Sequence, residues 1–287
     1  MTTDIRTPTQ NRPRVLRVAV AQTPGRLNAT AENAAEVCRL STEAADQGAK
    51  LILFPEGCVN GNSLAGAEQQ ARMPADEKAF SDLSHTARER GIAICAGFTT
   101  PFGEYLNNAF VIALSNGRVL FQYKAARSKT EPPFLGAWPD VARTVFEVDG
   151  VRIILSICSE YGVARVEEAV RQANPDLILH PSAGCMSEKF LVRDGQPVSA
   201  ETEAYVSASR QLVETASLEV ARRGIPKVSA NLIGFDGKTW WPGNSYAIGA
   251  DGKILLWLPV ETHVSRMKPS VAVGDIPIPA VAPQTPP

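Results

Sequence analysis

Residues 151–160 read Val-Arg-Ile-Ile-Leu-Ser-Ile-Cys-Ser-Glu. Asp149-Gly150, a strong hairpin signal, precedes them. The run is rich in β-branched residues, too short for a core helix and bounded by a turn, so it reads as a buried strand over 151–158. A helical pattern follows over 160–172 and a second apolar run over 177–181. Strand, helix and strand thus follow one another here.

The same alternation recurs toward the N-terminus. Residues 17–22 (RVAVAQ) form a strand. Residues 28–47 carry apolar side chains at helical spacing and end at Gly48, a helix C-cap residue. Residues 50–55 (KLILFP), a helix over 77–90 closed by Gly91, and a strand over 92–98 complete the first third. The middle holds strands over 107–114, 119–124 and 144–148, with Asn116-Gly117 marking a hairpin. A long helix over 202–223 is closed by Gly224, and strands follow over 228–233, 245–248 and 253–258. These elements predict a single α/β domain, a mixed sheet structure with helical outer layers. Residues 1–14 are polar and basic and read as a flexible segment. The proline-rich residues 268–287 cannot form a helix or a central strand and read as a tail, or as an extended arm on a partner subunit.

Composition narrows the function. The chain has 287 residues, with 29 Lys and Arg against 30 Asp and Glu, a formal net charge of −1. So balanced a chain lacks the field of a nucleic-acid-binding protein. Its five cysteines are sparse and irregularly spaced, and three scattered histidines offer no CxxC partner. A disulfide framework and a Cys/His zinc site are both disfavoured. No apolar run is long enough to span a bilayer and no secretory signal is visible, so the expectation is a soluble cytoplasmic protein.

Chemistry concentrates where strands end, the edge at which open α/β sheets bind ligands. Cys158 closes the 151–158 run. It is either a thiol activated by the amides of the following helix or inert core. Glu56 directly follows Leu-Ile-Leu-Phe-Pro, and a carboxylate there needs exposure or a partner. Lys124 ends another strand, placed to stabilise an oxyanion or simply solvated. Glu131, seven residues later, can pair with it. His180 is the histidine best placed to serve Cys158 as a base.

Taken together, RVAVAQ, LILFPEG, GRVLFQYK, Thr130-Glu131, VRIILSICSE, PDLILHPSA, VSANLIGFDG and PGNSYAIGADGKIL resemble the nitrilase superfamily of carbon–nitrogen hydrolases, over about residues 15–258. The resemblance implies an α/β, four-layer-type αββα sandwich in one domain and a homodimer or larger homo-oligomer. It implies a Glu–Lys–Cys triad of Glu56, Lys124 and Cys158 with Glu131 as a second carboxylate. No cofactor or metal is implied. The thiolate would attack a small-molecule amide or carbamoyl carbon and form a thioester. Hydrolysis of a nitrile, or an inactive binding protein on the same fold, are the alternatives. Motif proximity adds Asn60, Phe134, Trp138, Ser159, Tyr161 and Asn231 as substrate contacts.

Two departures stand out. The superfamily usually reads Tyr-x-Lys, whereas Lys124 follows Tyr123 directly. A one-residue slip turns a side chain to the other face of a strand, so either a β-bulge restores Lys124 or Lys129 takes its place. After Cys158 the chain reads Ser-Glu-Tyr-Gly, without the aromatic residue usual next to the nucleophile.

Overall fold

A computed structural model describes residues 14–61, 77–129, 131 and 135–280. Two sheets lie face to face, each covered on its outside by helices. The first sheet contains β1 (Arg14–Gln22), β2 (Leu51–Leu53), β3 (Ala93–Phe102), β4 (Tyr105–Ala113), β5 (Val119–Tyr123) and β13 (Ser270–Ile278). Its order is β13-β1-β2-β3-β4-β5. The second contains β6 (Phe146–Val148), β7 (Val151–Leu155), β8 (Leu177–Ser182), β9 (Lys227–Asn231), β10 (Ile233–Phe235), β11 (Trp240–Ile248) and β12 (Ile254–Val260). Its order is β10-β11-β9-β8-β7-β6, with β12 on β11. Three parallel strands, β1-β2-β3 in one sheet and β7-β8-β9 in the other, form each centre. Antiparallel strands complete the flanks.

Alternation along the strands explains the layers. On β1, Leu16, Val18 and Val20 enter the core between the sheets, with Leu51 and Leu53 from β2 and Ile153 and Leu155 from β7. The intervening Ala19, Ala21 and Ile52 face outward against Val37 and Leu40 of α1 (Thr30–Asp46) and Leu83 of α2 (Glu77–Arg90). Outside the second sheet, Ile154 and Ile178 pack on Val166 and Val170 of α3 (Ala164–Ala173). Val213 and Val220 of α4 (Ala200–Arg223) pack on Tyr246 and Ile248. Each fully buried aliphatic side chain contributes about 1.5–3 kcal/mol, so the layer common to both sheets holds them together. This is the expected αββα sandwich. Ser199 caps α4, accepting from Thr202 N at 3.1 Å, and Gly224 ends it in the left-handed region at φ +66°.

Two readings of the sequence are corrected. The segment expected as a tail from residue 268 contains β13, paired antiparallel with the whole of β1 from Ser270↔Gln22 to Ile278↔Arg14. Proline is tolerated there because β13 is an edge strand, whose outer amides need no partner. The domain therefore runs past residue 267. Residues 1–13 and 281–287 lie outside the described residues. The helix expected from residue 160 starts at Ala164, and Cys158–Glu160 forms a separate single turn. On β11, Trp240 and Trp241 point to opposite faces and both are buried, at 0% and 5% exposure. Trp240 meets Tyr205 of α4 and Trp241 joins the core of the first sheet.

Candidate active site

Glu56 and Cys158 follow the central parallel strands β2 and β7, one from each sheet. A backbone bond crosses the layers from the end of β2 to the end of β8, the neighbour of β7: Glu56 N donates to the Ser182 carbonyl at 3.2 Å. The Glu56 loop also lies directly on β3. A Cβ at Gly97 would come within 2.7 Å of Glu56 Cα and 2.6 Å of the Pro55 carbonyl oxygen. Only glycine permits that approach.

Lys124 arrives from β5 with no bulge. The β4–β5 register runs unbroken from Ala113↔Val119 to Ala109↔Tyr123. Lys124 N then donates to the Asn108 carbonyl at 2.8 Å, which extends the ladder. Phe110 and Ile112 of β4 face the inter-sheet core, and so does Leu120 of β5. Two-residue alternation therefore puts Lys124 on the inward face and Tyr123 outside, where its ring stacks on Trp138 at 4.1 Å. The expected bulge is unnecessary. Lys129 is exposed on the loop beyond.

The side chains converge. Lys124 Nζ is 2.7 Å from Glu56 Oε1 and also pairs with Glu131 Oε1. Asn108 Nδ2 donates to Glu56 Oε1 at 2.8 Å and to Glu131 Oε1 at 3.2 Å. Glu131 Oε2 accepts from Ser128 N at 2.5 Å. The Lys124 and Glu56 side chains are each 4% exposed. The Cys158 sulfur lies near enough to Glu56 and Lys124 for both charges to act on it. Cys158 has a φ of +47°, uncommon for a residue with a side chain.

Burial and charge set the protonation. Burial raises the Glu56 carboxyl above the ordinary carboxylate range, against the pull of Lys124. Burial acts to lower Lys124, but attraction to Glu56, Cys158 and Glu131 prevails and holds it above an ordinary lysine. Burial first, and then the Glu56 charge, push the Cys158 thiol up to about 11, with Lys124 opposing. The sulfur is thus held as a thiol, with the Glu56 carboxyl group beside it to exchange its proton.

Glu160 and Arg143, which the sequence reading did not select, brace this arrangement. Both side chains are 0% exposed, and Arg143 NH1 donates to Glu160 Oε2 at 2.9 Å. The same oxygen accepts from Ile157 N at 2.7 Å, and Oε1 accepts from Ala125 N at 2.5 Å. One carboxylate thus ties the residue before Cys158 to the residue after Lys124. Its sequence signal was a charge two residues beyond an apolar strand.

The remaining candidates divide. His180 is not a base for Cys158: Nδ1–H donates to the Ser156 carbonyl at 2.9 Å, and burial lowers the ring to about 4. Its ring packs on Tyr161 at 4.9 Å, and Tyr161 also lies beneath Lys227 and Arg223. Asn60 clasps β3 through Thr99, donating to its carbonyl at 2.7 Å and accepting from its amide at 2.9 Å. The Ser159 hydroxyl donates to the Ala126 carbonyl at 2.9 Å. Asn231 pairs with Ser182 in the β8–β9 ladder and donates to the Gly243 carbonyl at 2.7 Å. Trp138 N donates to the Lys124 carbonyl at 2.8 Å. Phe134 lies outside the described residues. A groove of about 380 Å³ between α2 and β5, lined by Phe80, His85 and Arg88 among others, includes none of the converged residues. Among the described residues no group of three or more His, Cys, Asp or Glu is placed to hold a metal ion. No described helix is long and apolar enough to cross a membrane.

The carbon–nitrogen hydrolase family model matches residues 17–282, and the chain belongs to that family. Among relatives, the "hydrolase in agr operon" of Staphylococcus lugdunensis is 25% identical over 210 residues, 71% of this chain and 80% of that protein. An arylacetonitrilase of Hypocrea virens is 33% identical over 147 residues, covering 46% of this chain but only 41% of its own length. A solved mutant of Nesterenkonia AN1 amidase, from the nitrilase superfamily, has the same fold. It superposes with a TM-score of 0.71 at 23% identity, over 94% of this chain and 93% of that one.

Proposed function

We propose that this carbon–nitrogen hydrolase cleaves a non-peptide amide or carbamoyl bond in a small molecule through a thioester on Cys158. The observation that carries this reading is the meeting of Glu56, Lys124 and Cys158 from three strand ends in one buried cluster. Glu56 takes the Sγ proton, and the thiolate attacks the carbonyl carbon. Lys124 and the Ser159 N–H receive the charge developing on oxygen, and each such donor is worth roughly 100–1,000-fold in rate. Glu56 returns its proton to the departing nitrogen, and ammonia or an amine leaves. Water, deprotonated by Glu56, then attacks the thioester, releasing the acid and restoring the thiol. Glu131 and Asn108 fix Lys124 and Glu56 at their working distance.

Ammonia release across a panel of small amides, carbamoyl compounds and nitriles tests the reaction class. Release from amide or carbamoyl members is expected. Hydrolysis of nitriles alone would transfer the assignment to a nitrilase, and a protein inert on the whole panel would favour a binding role.

The pH profile tests the base. Because Glu56 is raised, it holds a proton at pH values where an ordinary carboxylate has lost it. Activity therefore falls as pH drops through a midpoint above the ordinary carboxylate range. The kcat/KM profile of the wild type measures this limb. A profile flat down to roughly pH 4 would rule out Glu56 as the base.

A further inference from the structure

We propose that Ser182 is a further catalytic residue, whose hydroxyl donates a hydrogen bond to the Cys158 sulfur and stabilises the attacking thiolate. The inference rests on the reading of Cys158 as nucleophile. It begins with strand register. The parallel ladder of β7 and β8 ends at Leu155↔Leu179. Three residues further along each chain stand Cys158 and Ser182, so the two side chains leave neighbouring strand ends together.

Two contacts place the hydroxyl. Ser182 Oγ accepts from Gly184 N at 3.2 Å and lies 3.4 Å from Cys158 Sγ. A hydroxyl has one hydrogen to give. The Gly184 amide takes a lone pair and leaves that hydrogen free to be given to the sulfur, which as a thiolate can only accept. The backbone of the same residue accepts from Glu56 N. Ser182 therefore touches the nucleophile with its side chain and anchors the base with its carbonyl.

The thiolate needs such a donor. Burial and the Glu56 charge both oppose ionisation of Cys158. Lys124 offsets them, but it also pairs with two carboxylates. The Ser182 hydroxyl reaches the sulfur directly. Hydrogen bonds to an ionised atom are roughly twice as strong as neutral ones, so the hydroxyl favours the thiolate over the thiol. When the Sγ proton passes to Glu56, the donor is already within reach of the sulfur.

The test is the pH dependence of Cys158 alkylation by iodoacetamide, followed by mass spectrometry on the full chain. Wild type, Ser182→Ala, Ser182→Thr and Cys158→Ala are compared, with kcat and KM measured in parallel. Ser182→Ala is expected to slow Cys158 alkylation at neutral pH by roughly tenfold to a hundredfold. It is expected to move the midpoint of the pH profile upward and to lower kcat more than it raises KM. Ser182→Thr, which keeps the hydroxyl, is expected to recover most of the rate. Alkylation of Ser182→Ala at the wild-type rate would overturn the proposal while leaving Cys158 as nucleophile. Equal losses in Ser182→Ala and Ser182→Thr would assign the effect to packing and overturn it as well. Hydrolysis by Cys158→Ala at the wild-type rate would instead defeat the nucleophile reading, and the alkylation profiles would still report whether Ser182 acts on the thiol.

Discussion

Cys158→Ala is expected to lose hydrolytic activity by on the order of a millionfold, the scale seen when a nucleophile that acts as a unit with its base is removed. Glu56 and Lys124 keep their mutual bond in this variant, because neither depends on the sulfur for its position. The oxyanion donors remain, and they leave only residual catalysis over water. Stability is expected to change little. The substitution removes one sulfur atom from a half-buried site, and the positive φ is kept by the Glu160 brace on Ile157 and Ala125. The measurements are turnover and Tm of the two proteins, with intact mass after rapid quenching with substrate. The wild type should carry the acyl group as an added mass and Cys158→Ala should not. An added mass on the alanine variant, or turnover within tenfold of wild type, would place the nucleophile elsewhere. A wild type inert on every substrate would leave the binding-protein reading.

Strand ends were legible in the sequence because an apolar run that stops at a charged or reactive residue leaves few structural choices. Glu56 after Leu-Ile-Leu-Phe-Pro and Cys158 after Ile-Ile-Leu-Ser-Ile were found that way. The layered architecture followed from alternation of strands and helices. What the sequence could not display was register. Whether Lys124 faces inward depends on which residue of β4 it opposes, and only the ladder to Asn108 decides it. Ser182 becomes Cys158's neighbour through the pairing of β7 with β8. Arg143 sits in an irregular stretch with no periodicity, so its pairing with Glu160 had no local signature. The edge strand β13 was hidden by its prolines, which mark an edge as readily as a tail.

Lys124→Met is expected to damage folding and catalysis together, and a second substitution separates the two. Lys124 is the cation paired with both Glu56 and Glu131. Without it, two carboxylates share one Asn108 amide in a site where their side chains are 4% and 11% exposed. Breaking a buried ion pair from one side costs about 3–5 kcal/mol, because an uncompensated charge is left behind. For a domain of this size that corresponds to a Tm lower by on the order of 10 °C. One carboxylate escapes the penalty by binding a proton, and if it is Glu56 the base is lost along with the oxyanion donor. Turnover is therefore expected to fall by at least roughly a thousandfold. Adding Glu131→Gln to Lys124→Met removes one of the two opposed charges. The double variant is expected to recover several degrees of Tm and essentially none of the activity. Lys129→Ala, on the exposed loop, is expected to behave as wild type. A Lys124→Met protein with unchanged Tm would contradict the buried charge cluster. One that kept more than about a tenth of the wild-type turnover would remove Lys124 from the chemistry.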